Sequence, residues 1–261
     1  MLLRNQPAWP LLLAILLAAV CLSLRPDAGP RHGLSDRMRH LPSRTLWAWE
    51  RPEDLSGIDP SSTAIAWLDQ TIQIGDSIST MPRHQPMIYP AQTSRIAVVR
   101  IEVQHGTNLE GELGKTLAQA VASQVLTSAA IPGIAALQID FDATRSQRGF
   151  YTWILRDLRS RMPAEMPLSI TALASWCSYD DWIGALPIDE AVPMFFRMEP
   201  DRRRAPDDLP EFKIREPLCM GTVGISTHER WPAGIAGKRI YIFADRGWRQ
   251  DLPLLASRRL P

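Results

Sequence analysis

The chain has 261 residues, a formal net charge of +1 and 45% hydrophobic residues. This hydrophobic content is typical of a globular protein with a core and excludes a disordered or fibrous chain. The net charge argues against a nucleic-acid partner, because neutralising phosphates requires a concentrated basic surface. The basic run at 202–204 is followed closely by acidic residues, and we interpret it as a solvated loop.

The N-terminus has the pattern of an export signal. Arg4 precedes the apolar run LLLAILLAAVCLSL at 11–24, which is shorter than the about 20 residues that a membrane span requires. We therefore interpret 1–28 as a signal peptide or an N-terminal anchor and expect an exported protein, periplasmic or envelope-anchored. A linker at 29–44 and one domain at 45–261 follow, and a membrane is expected as a partner only through such an anchor.

Short apolar, β-rich runs recur after residue 45, separated by turn residues or by helical patterns. The predicted strands are 46–50, 64–70, 95–102, 137–143, 168–176, 192–198, 220–226 and 239–245. Apolar residues spaced for one helix face occur at 113–130 and 151–162. Alternation of strands and helices predicts parallel strands, and the sequence favours an α/β (β/α)8 TIM barrel of near-minimal size, with a doubly wound open sheet as the alternative.

The connection at 70–94 differs from the others. It contains Gly75 and three prolines, and TIQIGDSIST is more typical of a hairpin than of a helix. We therefore expect a hairpin-like insertion in place of the second helix, above the C-terminal mouth of the barrel.

Polar residues lie late in nearly every predicted strand. In LQIDFDAT, Gln138, Asp140 and Asp142 share one face of the strand, and this face would point into the barrel. Carboxyl groups in a cleft suit acid–base chemistry, so we predict Asp142 and Glu102, on neighbouring strands, as a catalytic pair together with Asp140. Other predicted ligand-binding residues near strand ends are Glu50, Trp49, Asp69, Arg100, Gln138, Ser175, Arg197, Ser226 and Asp245. Glu50 and Asp245 form an alternative carboxylate pair.

Cysteine and histidine positions give further expectations. Cys177 follows the fifth predicted strand and Cys219 precedes the seventh, so the two would lie at opposite ends of the barrel, and we predict free thiols. His84, His105 and His228 lack paired spacing, so we predict no metal site and no cofactor.

Two resemblances accompany these patterns. LQIDFDAT resembles the fourth-strand motif Asp-x-Asp-x-Glu of family 18 glycoside hydrolases, in which the glutamate is the acid; Asp140 and Asp142 match, but Thr144 occupies the acid position. The segments LWAWERPEDL, VVRIE, QIDFDA, PLSITALASWC and DEAVPMFFRM together resemble the uncharacterised bacterial family called domain of unknown function 3142. This second resemblance implies an exported barrel related in fold to glycosidases.

Three functions follow as hypotheses. The first is an exported glycosidase-like enzyme that uses mouth carboxylates on a glycan ligand. The second is a catalytically inert carbohydrate-binding barrel at the envelope, in which Thr144 replaces the lost acid. The third, a metal-dependent hydrolase, is disfavoured by the histidine spacing.

Overall fold

Eight parallel strands close into a barrel in the computed structural model, which describes residues 35–196 and 213–257. The barrel strands are β1 (Arg44–Ala48), β3 (Thr63–Ile74), β6 (Arg95–Val103), β7 (Ala136–Asp140), β8 (Leu168–Leu173), β9 (Glu190–Met194), β10 (Thr222–Ser226) and β11 (Arg239–Phe243). β1 pairs in parallel with both β3 and β11, so the sheet has no open edge at this point. The predicted TIM barrel is confirmed, and the open sheet is excluded.

Five helices lie in the described part of the chain. The described helices are α1 (Gly111–Ala129), α2 (Arg148–Arg161), α3 (Ala174–Ser178), α4 (Pro217–Met220) and α5 (Trp248–Ser257). Short 3-10 turns lie at 36–38, 145–147 and 183–185. Among the connections that the structure describes throughout, those after β6 and β7 carry a full-length crossover helix. In the described part of the chain, every helix is too short or too polar to cross a bilayer.

The predicted hairpin is present between the second and third barrel strands. β4 (Ile78–Pro82) runs back antiparallel to the long β3, and β5 (Met87–Ile88) pairs with the short β2 (Glu53–Asp54). The insertion therefore lies against the connection that follows β1. It extends the barrel wall beyond the end of β1, whose pairing with β3 stops at Ala48 opposite Trp67.

The barrel wall separates two apolar cores. Outward side chains such as Leu46, Val99 and Ile139 pack against the helices, whereas inward side chains such as Trp47, Val98 and Tyr241 pack against one another. This is the expected result of side chains alternating along each strand. Inward positions near the strand ends are therefore the ones that can face the mouth.

The free-thiol prediction is wrong, because Cys177 and Cys219 form a disulfide with a Cα–Cα distance of 5.9 Å. The fifth barrel strand ends at Leu173, three residues earlier than predicted, and the chain turns at once into α3. Both α3 and α4 pack beside β9, so the two cysteines approach each other on the outside of the barrel. The error came from treating 168–176 as one straight strand.

Candidate active site

An acidic cluster lies at the C-terminal ends of β6 and β7. It consists of Arg100, Glu102, Asp140 and Asp142, and these residues line a cavity of about 290 Å³ together with Thr144 and Gln147. Because barrel enzymes carry their chemistry at this end of the strands, the cavity is the candidate active site. The three carboxyl groups predicted as catalytic are thus brought together.

Arg100 holds two of the carboxylates. Its Nε donates to Glu102 Oε1 at 2.8 Å and its Nη1 donates to Asp140 Oδ2 at 3.0 Å. The Thr171 hydroxyl donates to the other oxygen, Asp140 Oδ1, at 2.7 Å, and Gln73 Nε2 donates to Glu102 Oε2 at 3.3 Å. Each of these two carboxylates therefore has a fixed orientation.

The environments of the carboxyl groups shift their pKa values in opposite directions. Burial raises the pKa of Asp140, and the charge of Asp142 adds to this effect, although Arg100 and Thr171 oppose it. Asp142 is exposed on the cavity side, yet loss of hydration among the surrounding protein atoms raises its pKa, with Arg100 opposing. The hydrogen bond from Arg100 instead lowers the pKa of Glu102. At one pH, Asp142 therefore keeps a proton more readily than Glu102 does.

Aromatic rings lie on the other side of the mouth. Trp49 and Phe196 are half-buried, and Phe196 stacks on Phe243 with ring centroids 5.6 Å apart and an interplanar angle of 10°. The Trp49 and Phe243 ring centroids are 6.1 Å apart in an edge-to-face arrangement, and the Arg51 guanidinium lies over the Phe243 ring, 5.6 Å from its centroid. Flat apolar rings beside polar groups suit a ligand with both kinds of surface.

Two predicted ligand-binding residues lie away from the cavity. Asp69 has the outward parity of Ile65 and Trp67 on β3, and its carboxylate accepts a hydrogen bond from Ser128 of α1 at 2.6 Å, outside the barrel wall. Gln138 points inward as expected, but it is fully buried below the mouth, where it accepts from Trp47 Nε1 at 2.7 Å. Asp69 and Gln138 therefore bind other side chains of the protein and do not line the cavity.

The other predicted residues do not form one group in the described part of the chain. Glu50 is exposed and accepts from the backbone N–H groups of His84 and Gln85 in the insertion, whereas Asp245 accepts from His228 N at 3.1 Å, so the two carboxylates have separate partners. Ser175 lies in α3 and not in a strand. Arg197 lies outside the described residues.

Two residues that contact the carboxylates were not predicted from the sequence. Thr171 and Gln73 bind the carboxylates, and the inward parity of Thr171 on β8 could have identified it. Gln73 could not have been identified in this way, because the β3 bulge reverses the facing of every later residue in this strand. In the described part of the chain, no group of three His, Cys, Asp or Glu side chains has a geometry that suits a metal ion.

Three solved structures of enzymes or enzyme domains show a distant similarity to this chain. The chain is 12% identical to the chitinase domain of the spore coat protein CotE from Clostridium difficile, covering 65% of this chain and 50% of that one, with a TM-score of 0.38. It is 17% identical to the Bacillus cereus spore cortex-lytic enzyme SleL, covering 58% of this chain and 42% of that one, with a TM-score of 0.36. It is 11% identical to an endo-beta-N-acetylglucosaminidase from Cordyceps militaris, covering 92% and 87%, with a TM-score of 0.40.

The chain thus spans half or less of the first two of these structures. No curated protein matches the sequence significantly. The sequence does match one family model, over a segment that contains β7, β8, β9 and the carboxylates of the acidic cluster. Residues 92–194 match the family described as Domain of unknown function (DUF3142), which confirms the resemblance seen in the sequence.

Proposed function

We propose that the chain binds a glycan in the mouth of the barrel and hydrolyses a glycosidic bond. Asp142 acts as the general acid and Glu102 as its carboxylate partner. The observation that carries the proposal is the pair of opposite pKa shifts, upward for Asp142 and downward for Glu102, on neighbouring strands at one cavity. Two carboxyl groups whose environments separate their pKa values are the requirement for this reaction.

The roles follow from the contacts. Asp142 donates its proton to the leaving oxygen as the bond from this oxygen to the anomeric carbon breaks, and the negative charge of Glu102 stabilises the carbon side. Asp140 is a positioning residue, since it is buried and holds Arg100, which in turn holds Glu102. Water completes the reaction: its oxygen bonds to the anomeric carbon as a hydroxyl and its other proton returns to Asp142, so the oxygen that leaves keeps the first proton and the general acid is restored.

The test uses isosteric substitutions on the full chain. Asp142→Asn and Glu102→Gln should each lower kcat on a panel of oligosaccharides by about 10²–10⁴-fold, with little change in Kd, because each removes an ionisable group but keeps its shape. Asp36→Asn, which changes an exposed carboxylate before β1 at the opposite end of the barrel, is the matched control. Turnover by Asp142→Asn at the rate of the unsubstituted chain would contradict the assignment.

A second candidate function, glycan binding without hydrolysis, is favoured by the contacts of Thr144. The backbone N–H of Thr144 donates to Gln147 Oε1 at 2.8 Å, and its hydroxyl lies 3.1 Å from that of Ser146. The residue at the acid position of the family 18 pattern is thus part of a local turn. Binding of an oligosaccharide by the unsubstituted chain with no turnover on the panel would select this second function.

Export is part of the proposal. The apolar run at 11–24 supports it, although this run lies outside the described residues. The disulfide between Cys177 and Cys219 supports it independently, since disulfides form and persist in oxidising compartments.

A further inference from the structure

A second polar group lies at the same rim, on the loop that follows β10. This histidine cluster consists of Thr227, His228, Asp245 and Asp251. In the circular order of the barrel, β10 is opposite β6, the strand that carries Arg100 and Glu102. The histidine cluster and the acidic cluster therefore lie at opposite sides of the rim.

Asp251 holds the histidine ring. This carboxylate is fully buried in α5, and its oxygens accept from the Thr227 hydroxyl at 2.6 Å and from Arg246 N at 3.1 Å. His228 Nε2 lies 3.0 Å from Asp251 Oδ1. Hydrogen bonds from Thr227, His228 and Arg246 lower the pKa of Asp251 to about 2, so this carboxylate is ionised at neutral pH. The ionised Asp251 accepts a hydrogen bond and thereby keeps a proton on His228 Nε2.

The other ring nitrogen is left for a ligand. Residues 35–196 and 213–257 supply no hydrogen bond to His228 Nδ1, and the side chain is 36% exposed. Two residues earlier, at the end of β10, Ser226 is 1% exposed and its hydroxyl has no hydrogen-bond partner in the described part of the chain. A buried hydroxyl without a partner is a second observation that indicates a missing polar group here, because buried polar atoms are nearly always hydrogen-bonded.

We propose that His228, oriented by Asp251, binds a hydroxyl group of the ligand at the far side of the mouth, so that the ligand is an oligosaccharide that spans the rim from the acidic cluster to the histidine cluster. Nδ1 is the contacting atom, and Asp251 is a positioning residue that acts through the ring. This inference rests on the proposed glycan site and adds the requirement for several sugar units.

The experiment measures binding against ligand length. Dissociation constants are determined for one monosaccharide and for its linear tetrasaccharide, using a sugar that passes the panel test, on the full chain and on His228→Gln. His228→Gln should weaken tetrasaccharide binding about tenfold, the loss of one good hydrogen bond to a charged or oriented group, and leave monosaccharide binding unchanged. His40→Gln, an exposed histidine before β1 at the opposite end of the barrel, is the matched control.

A spectroscopic readout separates contact from folding. In the long-range ¹H–¹⁵N spectrum of the labelled chain, the tetrasaccharide should shift the Nδ1 signal of His228 but not that of His40, and Asp251→Asn should mix the two ring tautomers before any sugar is added. A His228 signal that does not move at saturating tetrasaccharide would overturn the inference. Equal tetrasaccharide affinities of His228→Gln and the unsubstituted chain would also overturn it, while the acidic cluster keeps its role. If no sugar on the panel binds, the proposed function and this inference fail together; if sugars bind but Asp142→Asn turns them over normally, the catalytic assignment alone fails.

Discussion

At the residue scale, Arg100 decides the electrostatics of the acidic cluster. It is the cation that contacts both Glu102 and Asp140, and its charge also acts on Asp142. A buried carboxylate such as Asp140, whose side chain is 6% exposed, is costly to keep ionised without such a partner. The same contact that stabilises the fold therefore sets the proton affinities of the site.

Arg100→Met should destabilise the chain by roughly 3 kcal/mol near neutral pH, at the low end of the range for breaking a buried pair because Arg100 is partly exposed. The raised pKa of Asp140 gives the sign of the pH dependence. In the folded chain this carboxyl binds a proton more readily than in the unfolded chain, so its ionisation lowers stability as the pH rises through the folded pKa. The deficit of Arg100→Met should therefore shrink as the pH falls and Asp140 becomes protonated.

Urea unfolding at neutral and mildly acidic pH measures this deficit. Arg39→Met is the control, since Arg39 forms an exposed pair with Asp36 and its loss should cost less than about 1 kcal/mol. A deficit that grows on acidification would contradict the account of Asp140.

At the element scale, the disulfide joins two helices, α3 and α4, that are too short to be stable alone. α3 has 5 residues and α4 has 4, far below the length at which isolated helices form. They are held beside β9 by the disulfide and by backbone hydrogen bonds from Arg215 and Glu216 to the carbonyl of Cys177. The covalent bond thus replaces the packing surface that a long crossover helix would supply.

Cys177→Ser should lower the free energy of unfolding by about 4 kcal/mol, from the loop-closure entropy of a bond whose cysteines are 42 residues apart. Cys219→Ser should cost the same, and the double substitution should cost no more than either alone, because each variant already breaks the bond. The measurement is denaturant unfolding under oxidising and reducing conditions in a Cys21→Ser background. Equal stability of the unsubstituted chain with and without reductant would contradict the prediction.

At the scale of the whole molecule, a buried polar network crosses the barrel interior. Trp47 donates to Gln138, Gln138 donates to the Ser169 hydroxyl at 3.1 Å, and this hydroxyl donates to Glu190 at 3.0 Å. Glu190 is fully buried, accepts from the Tyr241 hydroxyl and pairs with Arg239. The network joins β1, β7, β8, β9 and β11, so it links strands that are distant in the sequence.

Ser169→Ala should lower the stability of the entire barrel by about 1–3 kcal/mol, since it leaves a buried amide and a buried carboxyl each short of one partner. The urea midpoint should shift equally when tryptophan fluorescence and far-ultraviolet circular dichroism are followed, with an unchanged slope. Ser160→Ala, which removes an exposed hydroxyl of α2, should leave the midpoint in place. Separate midpoints for the two probes would show that the barrel does not unfold as one unit.

The sequence by itself determined the strands, their order and most of the inward face. The eight apolar runs overlap the eight barrel strands, and alternation along 137–143 correctly placed Asp140 inward beside Arg100. These features depend on local periodicity, which can be recognised in a single sequence. The match of residues 92–194 to a family model agrees with the same segments.

The tertiary structure alone decided the rest. One extra residue in β3 turned Gln73 toward Glu102, and an early end of β8 brought Cys177 to Cys219. His228 and Asp251 are 23 residues apart, and no local sequence pattern around either residue predicts that they pair. A bulge, a strand end and a contact between distant segments are each selected by packing against elements elsewhere in the chain, so their free energy is not encoded in any short stretch of sequence.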